Sequence, residues 1–143
     1  MKVKIINKSG YPNPQYATPQ SAGCDLVASI PTYFNLRPFE RTIIPTGIYL
    51  QLPVGYEAQV RPRSGLAIKH GITVLNAPGT VDADFIGEVG VILINLSNDP
   101  YTISPGERIA QLVVAKHEQA EWEDVEVLDA TERGNGGFGH SGK

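Results

Sequence analysis

Three observations in the sequence predict an all-β protein, a small jelly-roll-like β-barrel with one short helix. Fifteen glycines and eleven prolines are spread along all 143 residues instead of gathering in one linker, so a turn signal recurs about every 8–12 residues. The segments between these turns are short and rich in Val, Ile and Tyr, whose branched or aromatic side chains suit a pleated, half-buried surface. Only one stretch carries the marks of a helix.

Taken in order, residues 3–7, 41–51, 56–61, 71–75, 89–95 and 108–115 read as strands, with a last strand-like segment at 125–128. "EAQVR" (57–61) alternates polar and apolar residues, as a strand with one buried face should. "VGVILIN" (89–95) is apolar nearly throughout and is expected to be buried on both faces. "RSGLAIKHG" (63–71) predicts a helix of about two turns, in which Ser64 can cap the start and Gly71 can end it in a left-handed conformation. The length fits one domain, residues 1–130, followed by a glycine-rich stretch, 131–143.

Twelve Lys and Arg against fifteen Asp and Glu leave a net charge of -3. That is the wrong balance for a protein that grips nucleic-acid backbones without regard to sequence, so no polymeric nucleic acid is expected as a partner. Cys24 is the only cysteine and no His/Cys group has zinc-ligand spacing, which fits a reducing, cytoplasmic setting. The opening "MKVKIINKSG" does not read as a secretory signal, and the longest apolar run, 91–94, is far too short to span a membrane. The expectation is a soluble protein with no membrane partner.

Four segments could carry chemistry. "PRSGLA" places Arg63, Ser64 and Gly65 where a strand gives way to a helix, whose first N–H groups have no internal partner and favour an anion; an ordinary capped helix with a solvated arginine explains the same residues. "NAPGTVDADFIGE" follows a Pro-Gly turn with Asp82 and Asp84. On an extended strand such a pair shares one face and suits a metal-bound phosphate or the activation of water, whereas on a solvated hairpin the two merely cap turns. Asp25 in "SAGCDLVAS" reads as a strand-end or turn residue. Gln111 in "PGERIAQLVV" is either the outward residue of a half-buried strand or an amide aimed into a site.

The C-terminal "RGNGGFGHSGK" nearly spells the phosphate loop G-x-x-x-x-G-K-[ST], with His140 where the lysine belongs. A true phosphate loop opens a helix, and only Gly142 and Lys143 follow Ser141 in this sequence. What remains is the freedom of glycine to bring backbone N–H groups close to phosphate oxygens.

Together and in this order, "AGCDL", "RPRSGLA", "NAPGTVDADFIGEVG", "GERIAQL" and "RGNGGFGHSG" resemble the five motifs of the homotrimeric dUTPases, over nearly the whole chain. The resemblance implies a β-clip barrel, three copies around a threefold axis, and active sites shared between subunits. It implies hydrolysis of dUTP to dUMP and pyrophosphate with Mg²⁺, which limits uracil in DNA and supplies dUMP for thymidylate synthesis. By the same resemblance Asp82 matches the aspartate that holds and deprotonates the attacking water, and Arg63, Ser64 and Gly65 match the phosphate grip. Asn76, Gly79, Thr80 and Val81 match the uracil pocket. Asp25 and Gln111 match residues that contact the metal only through water, with no direct protein ligand. Residues 131–143 match a flexible arm that closes over the site, where Arg133 pairs with the γ-phosphate, Phe138 stacks on uracil and Gly139 lies against the nucleotide.

Two positions depart from the family pattern. Phe85 stands where a tyrosine usually packs under the deoxyribose, which keeps the ring and loses the phenol. "FGHSG" replaces the more usual "FGSTG", so His140 stands for a serine, and its protonation near a triphosphate predicts pH-dependent closure of the arm. Two other readings share the fold: a dCTP deaminase, which does not need the 133–142 arm in this form, and a nucleotide-sensing regulatory module, against which Asp82 argues.

Overall fold

The computed structural model describes residues 1–138. Ten strands and one helix follow in the order β1 (Lys4–Asn7), β2 (Gly23–Val27), β3 (Phe34–Leu36), β4 (Arg41–Gln51), β5 (Tyr56–Arg61), α1 (Ser64–His70), β6 (Ile72–Val74), β7 (Gly79–Val81), β8 (Glu88–Asn95), β9 (Tyr101–Ile103) and β10 (Arg108–Lys116). Two four-stranded sheets, β1-β4-β8-β6 and β2-β10-β5-β7, enclose the core, and β3 with β9 forms a small third sheet. Every strand pairing is antiparallel. Among the described residues no helix is long and apolar enough to cross a membrane.

The alternation read from "EAQVR" holds in β5, where Ala58 and Val60 are buried and Glu57, Gln59 and Arg61 are not. Together with Leu26, Leu36, Ile44, Leu93, Ile103 and Ile109, Ala58 and Val60 form a continuous apolar interior, in which burial of each large aliphatic side chain stabilises the fold by about 1.5–3 kcal/mol. The expectation for 89–95 is corrected. β8 buries Val89, Val91, Leu93 and Asn95 but leaves Gly90, Ile92 and Ile94 only partly covered, because one sheet face meets the core and the other looks outward.

β4 runs over eleven residues with Pro45 inside it, and its register on β8 shifts between Pro45 and Tyr49. Proline cannot donate to the ladder, so the strand bulges there, and side chains take over the backbone bonding. The Thr46 hydroxyl donates to the Val89 carbonyl (2.5 Å) and accepts from the Ile48 N–H (3.2 Å), while the Gly47 N–H donates to the Glu88 carboxylate (2.7 Å).

The helix also differs from expectation at its start. Arg63 occupies the cap position with an extended backbone, no side chain caps it, and Ser64 is the first helical residue. At the other end Gly71 is left-handed, with φ 66°, and its N–H donates to the Ala67 carbonyl. Residues 125–128 are not a strand. They have no pairing partner among the described residues and Val127 and Leu128 are exposed, since alternation without a sheet to join cannot hold an extended segment in register. Four short strands, β2, β3, β7 and β9, are not legible in the sequence, three of them being only three residues long.

Candidate active site

Asp25 sits mid-strand in β2, not at a strand end or turn. Gln111 of β10 pairs with Asp25 on one side and with Arg61 of β5 on the other, so these three residues form one row across the sheet. The chain leaves β5 at Arg61 and enters α1 at Ser64, which brings Arg63, Ser64 and Gly65 to the end of that row. The result is a cleft of about 540 Å³ lined by Asp25, Arg61, Arg63, Ser64, Arg108 and Gln111, with Gly65 at its wall.

Asp25 is held from two sides. Arg63 Nε donates to Oδ1 (3.0 Å) and Arg108 Nη1 reaches Oδ2 (3.5 Å), while Arg63 Nη1 donates to the Arg108 carbonyl (3.2 Å). The Gln111 amide nitrogen donates to the Pro62 carbonyl (3.3 Å), and the residue is a half-exposed strand residue that lines the same cleft. Arg61 is braced by Gln59 Oε1 (3.0 and 2.6 Å). Three guanidinium groups and one carboxylate thus line this cleft, two of the three on the carboxylate itself, in a chain whose net charge is -3. Locally the balance favours an anion, and guanidinium forks suit phosphate oxygens. Arg61 and Arg108 are not singled out by the sequence, where each looks like a solvated charge at a strand end. The β-bulge between Arg108 and Ala110 is what turns Arg108 onto Asp25.

Behind this cleft the Tyr101 hydroxyl donates to the Glu107 carboxylate, which also accepts the Ser104 N–H (2.8 Å). Burial, and then the negative Glu107, push the Tyr101 phenol above its ordinary range. This pair ties the turn before β10 to β9, and Arg108 follows it directly. Cys24, beside Asp25, points into the core, where burial raises its thiol.

Asn76, Gly79, Thr80, Val81, Asp82 and Phe85 form a second group. The expected hairpin is not one: β6 belongs to the first sheet and β7 to the second, so the turn at 75–78, with a cis Ala77-Pro78 bond, carries the chain from sheet to sheet. Asp82 and Asp84 do not share a strand face either, because β7 ends at Val81 and residues 82–85 form a turn closed by the Phe85 N–H on the Asp82 carbonyl (3.2 Å). Thr80, Val81, Asp82, Phe85 and Glu88 line a cleft of about 210 Å³, and a second cleft, beside His117, is lined by both Asp82 and Asp84. Asn76 is exposed on the turn before β7.

The two groups stand far apart within one chain. Val81 pairs with Ala58, and Arg61 lies three residues further along β5 in the Asp25 row. With strands about 4.8 Å apart and residues about 3.3 Å apart, Asp82 is about 20 Å from Asp25. Arg133 and Phe138 line neither cleft: both are exposed, and Arg133 Nε donates to the Gly136 carbonyl (2.8 Å). Gly139 and His140 lie outside the described residues. Among the described residues no three His, Cys, Asp or Glu side chains gather as metal ligands.

This architecture defines an antiparallel β-barrel with an arginine-lined cleft at one end of a sheet and a carboxylate turn at the other. The dUTPase family model matches residues 10–142, and on that match the chain belongs to the dUTPase family, the dUTP diphosphatases. The deoxyuridine 5'-triphosphate nucleotidohydrolase of Finegoldia magna is 57% identical over 142 residues, covering 99% of both chains. That of Fusobacterium nucleatum is 57% identical over 143 residues, covering 100% of this chain and 98% of its own. Among solved structures, the Staphylococcus bacteriophage 80alpha dUTPase with dUPNHPP superposes with a TM-score of 0.89 at 26% identity, covering 99% of each chain.

Proposed function

We propose that this dUTPase hydrolyses dUTP to dUMP and pyrophosphate by in-line attack of a water held on Asp82 at the α-phosphorus, in active sites shared between the subunits of a homotrimer. The observation that carries this reading is the separation just described. The arginine cleft and Asp82 are each well formed, yet about 20 Å apart in one chain, a gap that a water on Asp82 cannot cross to a phosphate gripped by Arg63. A second copy that brings its Asp82 turn to the cleft of the first completes the site. Closed symmetric assembly makes such sharing repeat identically in every subunit.

In that site Arg63, Ser64 and Gly65 grip the phosphates, and Asp82 serves chiefly by setting the water in line with the departing pyrophosphate. Asn76, Gly79, Thr80 and Val81 read the base edge through the main chain, and Phe85 packs under the deoxyribose. Residues 131–143 act as an arm that closes over the nucleotide, with Arg133 on the γ-phosphate, Phe138 on uracil and Gly139 against the nucleotide.

The cleft also suits Mg²⁺ bound through its waters. Two of the carboxylate's lone-pair sites on Asp25 serve Arg63 and Arg108, and the others are free to accept from metal-bound water. The Gln111 amide nitrogen is engaged by Pro62, which leaves its oxygen as an acceptor. Mg²⁺ keeps several waters and would enter with the triphosphate, whose charge it neutralises. In a cytoplasmic setting the reaction limits uracil incorporation into DNA and supplies dUMP for thymidylate synthesis.

Incubation with Mg²⁺ and each of dUTP, dTTP, dCTP, dATP and UTP tests the reading, with pyrophosphate release expected from dUTP alone. No release from dUTP, or ammonia from dCTP, overturns it. Asp82→Asn should still bind dUTP and hydrolyse it about 10²–10⁴-fold more slowly, the usual contribution of a positioned general base.

A further inference from the structure

Gly87 links the Phe85 ring to the strand that follows it, and its reason for being glycine is readable from the geometry. Its backbone is not in the left-handed region, so conformation alone does not require glycine. A Cβ built on Gly87 would stand 2.6 Å from Cζ of Phe85, 2.9 Å from Cε2 and 3.5 Å from Cε1, and these ring atoms are its three nearest neighbours. Carbon atoms rest about 3.5–4.0 Å apart, so any side chain at 87 forces the ring away by about 1 Å. Gly65, in contrast, has nothing within 4 Å of the same position.

The backbone at Gly87 cannot easily yield in place of the ring. Glu88 begins β8 directly afterwards, pairs with Tyr49, and holds the Gly47 N–H with its carboxylate (2.7 Å). Val89, next along, is buried and its carbonyl accepts from Thr46. On the other side Phe85 belongs to the turn that carries Asp82. Phe85 is 45% exposed, with the tip of its ring against Gly87, and it lines the cleft of Thr80, Val81 and Asp82.

We infer that Gly87 is a specificity-determining position, whose missing side chain lets the Phe85 ring lie where it separates deoxyribose from ribose. The inference rests on the proposed packing of Phe85 under the sugar. Gly87 is not among the residues that line the cleft. It is a positioning residue that acts through the ring, and a ring pushed toward the cleft or tipped off its seat no longer presents the same floor to the 2′ carbon.

The test is a double-mutant cycle read as the ratio of kcat/KM for dUTP to that for UTP, with Tm measured on each variant. Gly87→Ala should lower the ratio about tenfold or more, the low end of what one carbon of misfit changes in a binding pocket. Phe85→Ala should lower it as well, and Gly87→Ala added to Phe85→Ala should change it no further, because no ring remains to displace. Should Gly87→Ala lose stability instead, recovery of Tm in the double variant supports the same clash, and no recovery overturns it. An unchanged ratio in a folded Gly87→Ala, or an equal fall in the absence of the ring, also overturns the inference while leaving the Phe85 reading intact. An unchanged ratio in Phe85→Ala alone removes the sugar-floor reading itself, and the inference with it.

Discussion

Two inactive variants should restore each other if the active site is divided between chains. Asp82→Asn removes the carboxylate proposed to hold the water and leaves the arginine cleft whole, whereas Arg63→Ala does the reverse, and the two positions belong to different clefts. The strand register places Asp82 about 20 Å from the Asp25 row, too far for one chain to use both groups on one nucleotide. When the two variants are unfolded, mixed in equal amounts and refolded together, each shared site draws its Asp82 from one chain and its Arg63 from another. Random assembly then makes about a quarter of the sites intact, so about a quarter of the parent rate should return from two parents with almost none. Pyrophosphate release at fixed protein concentration, with each variant refolded alone as the baseline, reads this directly. Absence of recovery in a mixture shown by mass to contain hybrid assemblies refutes the division, since a site made within one chain would carry one defect everywhere.

Further expectations concern the framework. Thr46→Val keeps the shape but leaves the Val89 carbonyl and the Ile48 N–H unpaired in a fully buried position. It should destabilise the protein by about 2–4 kcal/mol, measured as a shift of the urea midpoint at fixed protein concentration, with the slope unchanged. Tyr101→Phe tests the clamp behind Arg108. The phenol is raised in the folded state by burial and then by Glu107, so its contribution is fully present below the unfolded tyrosine value of about 10 and is lost as pH rises beyond it. The variant should be less stable at neutral pH, by about 1 kcal/mol for a half-exposed bond to a carboxylate, and should lose stability less steeply above pH about 10. Equal alkaline slopes in chemical denaturation of parent and variant would count against the clamp.

Much of the framework is legible because its signals are local. β4 and β5 begin and end where Val/Ile/Tyr content and flanking turns place them, and Gly71 closes α1 as a left-handed cap. Short strands escape because three residues carry too little pattern: β7 reads "GTV", and only its pairing with β5 makes it a strand. Residues 125–128 show the converse, a strand-like pattern with no neighbour to pair with among the described residues. Ser64 fails as a cap because Arg63, turned toward Asp25, already holds the extended position before the helix.

The same division runs through the site. Sequence by itself determined which residue types are present and in what order, enough for five ordered motifs to resemble the dUTPases, because motif chemistry is written in neighbouring residues. It could not determine that Asp25, Gln111 and Arg61 form one row, that Arg108 turns onto Asp25 at a bulge, or that Asp82 sits on a turn and not a strand face. Those facts are set largely by register between strands far apart in the chain, as for Cys24 and Leu112, which are 88 residues apart. A register is chosen by the burial of whole faces at once, and no local stretch of sequence encodes that choice. Tertiary structure alone therefore decided that the arginine cleft and the Asp82 carboxylate stand at separate places on one chain.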